Sequence, residues 1–507
     1  MNKDVVLGID IGTSAVKVMA INKEGDIVAE SERGYSRIER NNLVEQDPHS
    51  WWECLKAACK DLKCDFTKIN CIGLSGQLNG LVPMSKDGYP LGNAIIWLDQ
   101  RASEEADFLR KNYLLEIERG TYNHPTSINN LSKIFWLKKS NSQLFDKTYK
   151  FLGVKDYIIF KLTGKYVSDV TDASAGLMLD IKNRNWFYPF LEKVIGMNPN
   201  QLPELHESTD IVGEVSKVAA DEIGFPKGIP VVAGAGDVSS LALGTGVIKK
   251  EAACATIGTA GHVAAYLEEL PKEINEKLWT LCHAIPGKYL WHGLVMTAGQ
   301  CLSWFVDLFK SIEIDKKIYH NLGFNYFIKG AEEVPPGSRG LIFLPFLNGE
   351  ATPGQDPFAR GAFLGLKSST SLFSMVRAVL EGVTYNFREA FELLDESGEI
   401  VIHKVFVGEG GSKSSLWPQI MADVLQKEII SLTVLNSSAL GAAMLAGVGS
   451  GFWSDFQEAS DKVCFAKESY WPKVANVSAY EKYYKLYLKA KNNLKNFNEE
   501  LFDISKE

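Results

Sequence analysis

The chain has 507 residues, 46% apolar and 23% charged, the proportions of an ordinary globular protein, and its length is too great for one compact core, so two domains are predicted. A net charge of −8 argues against a surface built for nucleic acid or an anionic membrane, since both need clustered Lys and Arg. No apolar run reaches the roughly 18 residues of a membrane span, Asp10 interrupts the short apolar start "MNKDVVLGIDIGT", which is therefore no secretion signal, and eight Cys with no Cys-x-x-Cys pair read as the reduced thiols of a cytoplasmic protein.

In chain order, "VLGIDIGTSAVKVMAIN" predicts strand, turn, strand: Leu7 and Ile9 alternate with other residues, Gly12-Thr13-Ser14 turns, and Val16 and Val18 resume the alternation. A second turn at Lys23–Asp26 leads to "IVAESE", which completes a three-strand meander. Asp47 and Pro48 then open a helix with Trp51, Leu55, Ala58 and Leu62 at helical spacing, and "INCIGLSGQ" reads as a strand. The paired Trp51-Trp52 and the scattered Cys are assigned to packing. "EAACATIGTAGHVAAYLEE" repeats the pattern of the first stretch, with Ile257-Gly258-Thr259 matching Ile11-Gly12-Thr13, and suggests an internal duplication. The boundary then falls near Gly244-Thr245-Gly246, giving domains 1–245 and 246–507, and Asp10 aligns with Thr256, so only the first copy carries the acid. Further helices are predicted at "STSLFSMVRAVLEGVTYNFREAFELL" and at "SKSSLWPQIMADVLQ", where Pro418 is tolerable only in the first turn. "SSALGAAMLAGVG" is a helix of small residues suited to very close packing, and "YYKLYLKAKNNLKN" reads as an amphipathic surface helix.

Asp10 stands among Val, Leu and Ile, where an ionised carboxylate costs several kcal/mol unless paired or metal-bound. It either caps its own turn through the N–H groups of Gly12 and Thr13, or holds Mg²⁺ beside a phosphate cradled by Gly12, Thr13 and Ser14. The turn at Gly258-Thr259 is the candidate second half of such a clamp, facing the first across a cleft. Asp237, in "VVAGAGDVSSLALGTG", reads as a helix N-cap and as a general base; the two roles are compatible, because a helix N-terminus fixes a carboxylate's orientation. Gly410-Gly411 in "VGEGGSKSSLWPQ" lets a flat ring approach the backbone. "LSGQLNGLV" and "AIIWLDQRA" place Gln77, Asn79, Trp97, Asp99 and Arg101 together, as a sugar site requires, or form a surface loop with a structural Asp99–Arg101 pair. The eight His show no zinc spacing.

The ordered set "GIDIGTSAVKV", "GLSGQLNGLVPMSKDGYPLGNAIIWLDQRA", "SKIFWLKK", "KDYIIFKLTG", "GAGDVSSLALGTG", "ATIGTAG", "LPFLNGEATPGQDPFARGAFLGL" and "VGEGGSKSSLWPQIMADVL" resembles the FGGY carbohydrate kinases over nearly the whole chain, and within them the xylulokinases. The resemblance implies an actin/hexokinase-like (ribonuclease H-like) α/β fold of two domains, each with a mixed five-stranded sheet, and a cleft between them. It also implies ATP, Mg²⁺ and phosphorylation of a sugar hydroxyl, most simply of a ketopentose such as D-xylulose. Carried over by position, the metal-associated acid is Asp10 and the catalytic base Asp237. The phosphate turns are Gly12, Thr13, Ser14 and Gly258, Thr259, Ala260. The adenosine side is Gly410 and Gly411, with Gly299 and Ser303 as a further nucleotide segment, and the substrate pair is Leu78 and Asn79. Xylulokinases usually read Met-His-Gly where this chain reads Leu78-Asn79-Gly80, and Ala260 stands where Ser is common; the first departure bears on the sugar and leaves the kinase chemistry intact. Gluconate, ribulose, glycerol or another ketose is the alternative substrate, a non-catalytic actin-like or sugar-sensing protein is the alternative of another class, and a homodimer is the family's expectation.

Overall fold

A computed structural model describes residues 4–40, 43–310 and 323–504. Two compact units are present, and each draws on separated stretches of chain: one on Met1–Ile248, Tyr266–Leu290 and Asn436–Phe465, the other on Lys249–Ala265, Trp291–Leu435 and Ala466–Glu507. The single cut expected at 245 thus separates the two halves in sequence, but the compact units interleave.

In the first unit the predicted meander is present as β1 (Val5–Ile11), β2 (Ala15–Asn22) and β3 (Ile27–Gly34), all antiparallel neighbours. The helix Pro48–Asp61 follows, with the Asp47 carboxylate accepting from the His49 N–H and Pro48 in the first turn. β4 (Ile69–Gly76) then runs parallel to β1. The pairing sets Asp10 between Lys17 on β2 and Ser75 on β4. Beyond β4 lie β5 (Ile211–Glu214), β6 (Pro230–Val232) and β7 (Ala235–Gly236).

Each central sheet has seven strands, not the expected five. In the first, the chain between β6 and β7 bends at Gly234 (φ 71), so one stretch docks on β4 as two short strands, and β5 adds an antiparallel edge. In the second, edge additions include the antiparallel strand Ala466–Tyr470.

Alternation divides the two faces of the first sheet. Leu7, Ile9, Ile11, Ile72 and Leu74 pack with Trp51, Leu55 and Tyr157, the last from α1 (Val154–Thr163). The opposite face carries Gly8 and Gly73, and against it lie α2 (Asp237–Gly244) and α3 (Ser437–Gly449). The small-residue helix packs as closely as its composition predicts: a Cβ on Gly8 would lie 2.0 Å from the Ala439 carbonyl oxygen, and one on Gly73 would lie 1.9 Å from that of Ala442.

The second unit repeats the plan. β8 (Ala252–Ile257) is antiparallel to β9 (Gly261–Leu267) and parallel to β10 (Lys404–Gly408), which is parallel to β11 (Glu428–Leu432). The first unit has the same order in β2, β1, β4 and β6, with the same strand senses. Shared topology therefore supports the duplication suggested by Ile-Gly-Thr. The helix Leu372–Glu396 is capped by Ser371, and Leu416–Leu425 holds Pro418 in its first turn. The tail forms the helix Val474–Ile504, which buries Tyr480, Tyr484 and Tyr487.

Candidate active site

The first turn is held from several sides. Gly12 donates its N–H to the Ala15 carbonyl at 3.0 Å, so Asp10 does not cap the turn through that amide. Gln46 donates to the Thr13 carbonyl at 2.8 Å, Gln77 donates to Gln46 Oε1 at 2.8 Å, and the Tyr35 hydroxyl donates to the Gly12 carbonyl. Asp10 is only 6% exposed, and its Oδ1 accepts from the Ser75 hydroxyl at 2.8 Å. Burial raises its pKa against the opposing pull of Lys17 and of Ser75. Oδ2 faces the turn, 3.5 Å from where a Cβ on Gly12 would stand. A lone carboxylate bordering a glycine turn fits Mg²⁺ of the kind that arrives with phosphate and keeps several waters. Among the described residues no group of three His, Cys, Asp or Glu forms a dedicated metal cage.

Asp237 is not the helix N-cap. Gly236 takes that position, with its N–H donated to the Thr171 hydroxyl at 2.8 Å, and Asp237 is the first residue of α2. The carboxylate still uses the helix terminus, since Oδ1 accepts from the Val238 N–H at 2.9 Å. Burial pushes its pKa up to about 7; the nearby negative charge of Asp10 adds to the rise, and hydrogen bonds from the Val238 and Leu78 amides oppose it. A carboxylate near 7 is poised for proton abstraction at neutral pH.

Leu78 joins this acid to the loop 77–79, because its side chain also fills the space over Gly236, where a Cβ would lie 2.1 Å from Leu78 Cδ2. Gln77 and Asn79 on either side are buried, and Gln77 Oε1 and Asn79 Oδ1 find no hydrogen-bond partner among the described residues. Two orphaned acceptors in one short loop are costly, a cost that donors from outside the chain would relieve. Trp97 is half-buried, and its Nε1–H goes to the Thr13 hydroxyl at 2.9 Å, so it buttresses the Gly12-Thr13-Ser14 turn. Asp99 and Arg101 do pair, but in the interior: Asp99 is fully buried, accepts from Arg101 at 2.7 and 2.8 Å, and accepts the Val44 N–H at 2.6 Å.

In the second unit, Gly299 is tied to the second turn. Its N–H donates to the Gly258 carbonyl at 2.8 Å, and the amides of Ala298 and Gln300 donate to the Thr259 carbonyl at 3.0 and 3.2 Å. Ser303 spends its hydroxyl on its own helix, donating to the Gly299 and Gln300 carbonyls. A side chain at Gly410 would meet nothing within 4 Å, whereas a Cβ at Gly411 would lie 2.4 Å from Ile257. Gly410 thus leaves open space at the turn, and Gly411 is required for packing.

Three residues of these sites escaped the sequence reading. Ser75 lies inside "LSGQ" with nothing local to show that it faces Asp10. Glu409 holds φ 67 and ψ −172, a backbone state normally reserved for Gly, at the entrance to the Gly410-Gly411 turn. Lys133, in "SKIFWLKK", is fully buried, donates to the carbonyls of Asn79, Ile95 and Ile96, and has its pKa lowered to about 7 by burial, with Asp99 and Asp172 opposing the fall and Arg101 adding to it.

Comparison with known families decides between the readings that this geometry allows. The profile "FGGY family of carbohydrate kinases, N-terminal domain" matches residues 5–244, and its companion, "FGGY family of carbohydrate kinases, C-terminal domain", matches 253–450. The chain is an FGGY carbohydrate kinase. It is 32% identical over 509 residues to a xylulose kinase of Bacillus subtilis, covering 99% of both chains. It is also 30% identical over 467 residues to a gluconokinase of the same organism, covering 90% of each. Among solved structures it is similar to a ligand-bound xylulose kinase from Lactobacillus acidophilus, with TM-score 0.87, 26% identity, and coverage of 97% of this chain and 98% of that one. This FGGY kinase is therefore a sugar kinase with the two-domain α/β fold of its family. Among its described residues no helix is long and apolar enough to cross a membrane.

Proposed function

We propose that this FGGY kinase transfers the terminal phosphoryl group of ATP to a hydroxyl of a ketopentose such as D-xylulose, giving the sugar phosphate and ADP. The observation that carries the reading is Asp237: an acid with its pKa raised to about 7, fixed by the Val238 amide, beside a loop whose Gln77 and Asn79 each leave a buried acceptor open. The sugar donates hydroxyl protons to those acceptors. Asp237 takes the proton of the attacking hydroxyl while its oxygen bonds to the terminal phosphorus, the bridging P–O bond breaks, and its electron pair leaves with ADP. In the first unit Thr13 and Ser14, on a turn that Gly12 keeps tight, offer backbone and hydroxyl donors suited to phosphate; in the second unit Gly258 and Thr259 offer the same kind of turn, with Gly299, Ser303, Gly410 and Gly411 on its nucleoside side. Asp10 would hold Mg²⁺ arriving with the nucleotide, and the ion would supply charge neutralisation for the phosphates. Positioning and electrostatics then account for most of the rate gain.

The test is Asp237→Asn, which keeps the shape and removes the base. A loss of ~10²–10⁴-fold or more in sugar phosphorylation at unchanged fold is expected; near-full activity would refute the assignment. A panel of D-xylulose, D-ribulose, D-gluconate and glycerol, read by ADP release, tests the substrate. Gluconate is the second reading, favoured by the 30% identical gluconokinase relative and by Asn79 in place of the usual His. Preference for gluconate over D-xylulose in kcat/KM would overturn the first.

A further inference from the structure

A fully buried lysine that makes no ion pair among the described residues calls for an explanation, and Lys133 on the helix Asn130–Ser140 is one. Its ammonium has three N–H donors. It uses them on three backbone carbonyls: Asn79 at 2.5 Å, Ile96 at 2.9 Å and Ile95 at 3.4 Å. A methionine would fill the same volume without a buried charge, so packing alone does not account for the lysine. What the charge does is join two loops.

One of these is the loop of Gln77, Leu78 and Asn79. Asn79 holds a left-handed backbone (φ 59), a state that Asn tolerates better than other non-glycine residues but still at some cost. Its carbonyl is the shortest of the three contacts, so the ammonium grips the strained residue itself. The other loop ends in Trp97, whose Nε1–H supports Thr13 in the phosphate turn. Asn130, three residues before Lys133 on the same helix, adds a weak contact to the Gly80 carbonyl at 3.5 Å.

We propose that Lys133 is a positioning residue for the sugar, clamping 77–80 and 94–97 into one geometry so that the Asn79 side chain meets the substrate; the inference rests on the reading that Gln77 and Asn79 face the sugar. The clamp acts on sugar affinity more than on nucleotide affinity, because Lys133 grips Asn79 directly and reaches Thr13 only through Trp97.

Steady-state kinetics of Lys133→Met, Asn79→Ala and the double variant test it, with D-xylulose and ATP varied in turn, or with the preferred sugar of the panel. Lys133→Met is expected to raise the KM for sugar roughly tenfold or more, and to raise the KM for ATP by a clearly smaller factor. The effects of Lys133→Met and Asn79→Ala on sugar KM should be less than additive, because the clamp has less to position once the Asn79 side chain is gone. A merely structural lysine would lower thermal stability with sugar KM intact and fully additive effects, and that result overturns the clamp. Normal sugar KM in Asn79→Ala overturns the loop's assignment to the sugar, and the clamp with it. If Lys133→Met does not fold, Lys133→Arg keeps the charge but presents a planar fork in place of three divergent donors, and the same rise in sugar KM is expected. If neither folds, hydrogen exchange of the wild-type enzyme decides: sugar should protect 77–80 and 94–97 together, and protection of one loop without the other overturns the proposal.

Discussion

As the proposed base, Asp237 would have to be ionised to accept a proton, and its pKa, raised to about 7, sets the pH at which that happens. kcat/KM is therefore expected to climb as pH rises through about 7 and to level off above it. Asp10 contributes to the rise, so Asp10→Asn should move the Asp237 midpoint to lower pH, as read by ¹³C NMR of the carboxyl groups; an unmoved midpoint would show that the two acids are not coupled. Both acids are raised above the ordinary value of 3.8. The folded state therefore binds protons more tightly than the unfolded chain above that value; Asp237 makes stability fall as pH rises from about 4 through 7, and Asp10 contributes in the same direction. Asp10 and Asp237 stood out in the sequence because an acid among apolar and small residues is conspicuous. Their mutual influence was not legible, since 226 positions of chain separate residues 10 and 237. Ser75 and Lys133 were hidden for the same reason: their partners lie on other elements.

The helix α3 shows how far an element's composition can be read. Its run of Ala, Gly and Ser announced close packing, and the structure supplies the partners: Gly8 on β1 and Gly73 on β4. A methyl group added at either glycine meets backbone, which cannot rotate away as a flexible side chain can. Gly8→Ala is thus expected to destabilise the protein by about 1–3 kcal/mol or more, measured by denaturant unfolding with an unchanged m-value. A shift within about 0.5 kcal/mol, the range of neutral surface changes, would mean that α3 can move aside. The cap at Asp47 and the tolerated Pro418 were read correctly because capping and first-turn geometry depend on residues within one helical turn. Asp237 was misplaced by one position, since the cap went to Gly236, whose N–H is drawn to Thr171 some 65 residues away in sequence.

The interleaving of the two compact units carries its own consequence for the molecule. The first unit needs Ser437–Gly449 to cover the Gly8 and Gly73 face of its sheet, and that helix comes from beyond most of the second unit's chain. A fragment ending at 245 is expected to lack a cooperative thermal transition by circular dichroism, and fusion of residues 436–465 through a flexible linker is expected to improve it. A sharp transition in the short fragment would show that the helix is dispensable to the fold.

Short-range pattern was enough to define the strands, turns and helix starts, the repeated Ile-Gly-Thr hairpin and the two acids, because alternation, capping and turn chemistry act over a few residues. The ordered motifs also carried the family. The raised pKa of Asp237, the three carbonyls around Lys133, the orphaned acceptors of Gln77 and Asn79, and the return of α3 to the first sheet depend on which distant groups come within a few ångströms and how completely water is excluded there. Those quantities exist only once the chain is packed, and they were decided by the tertiary structure.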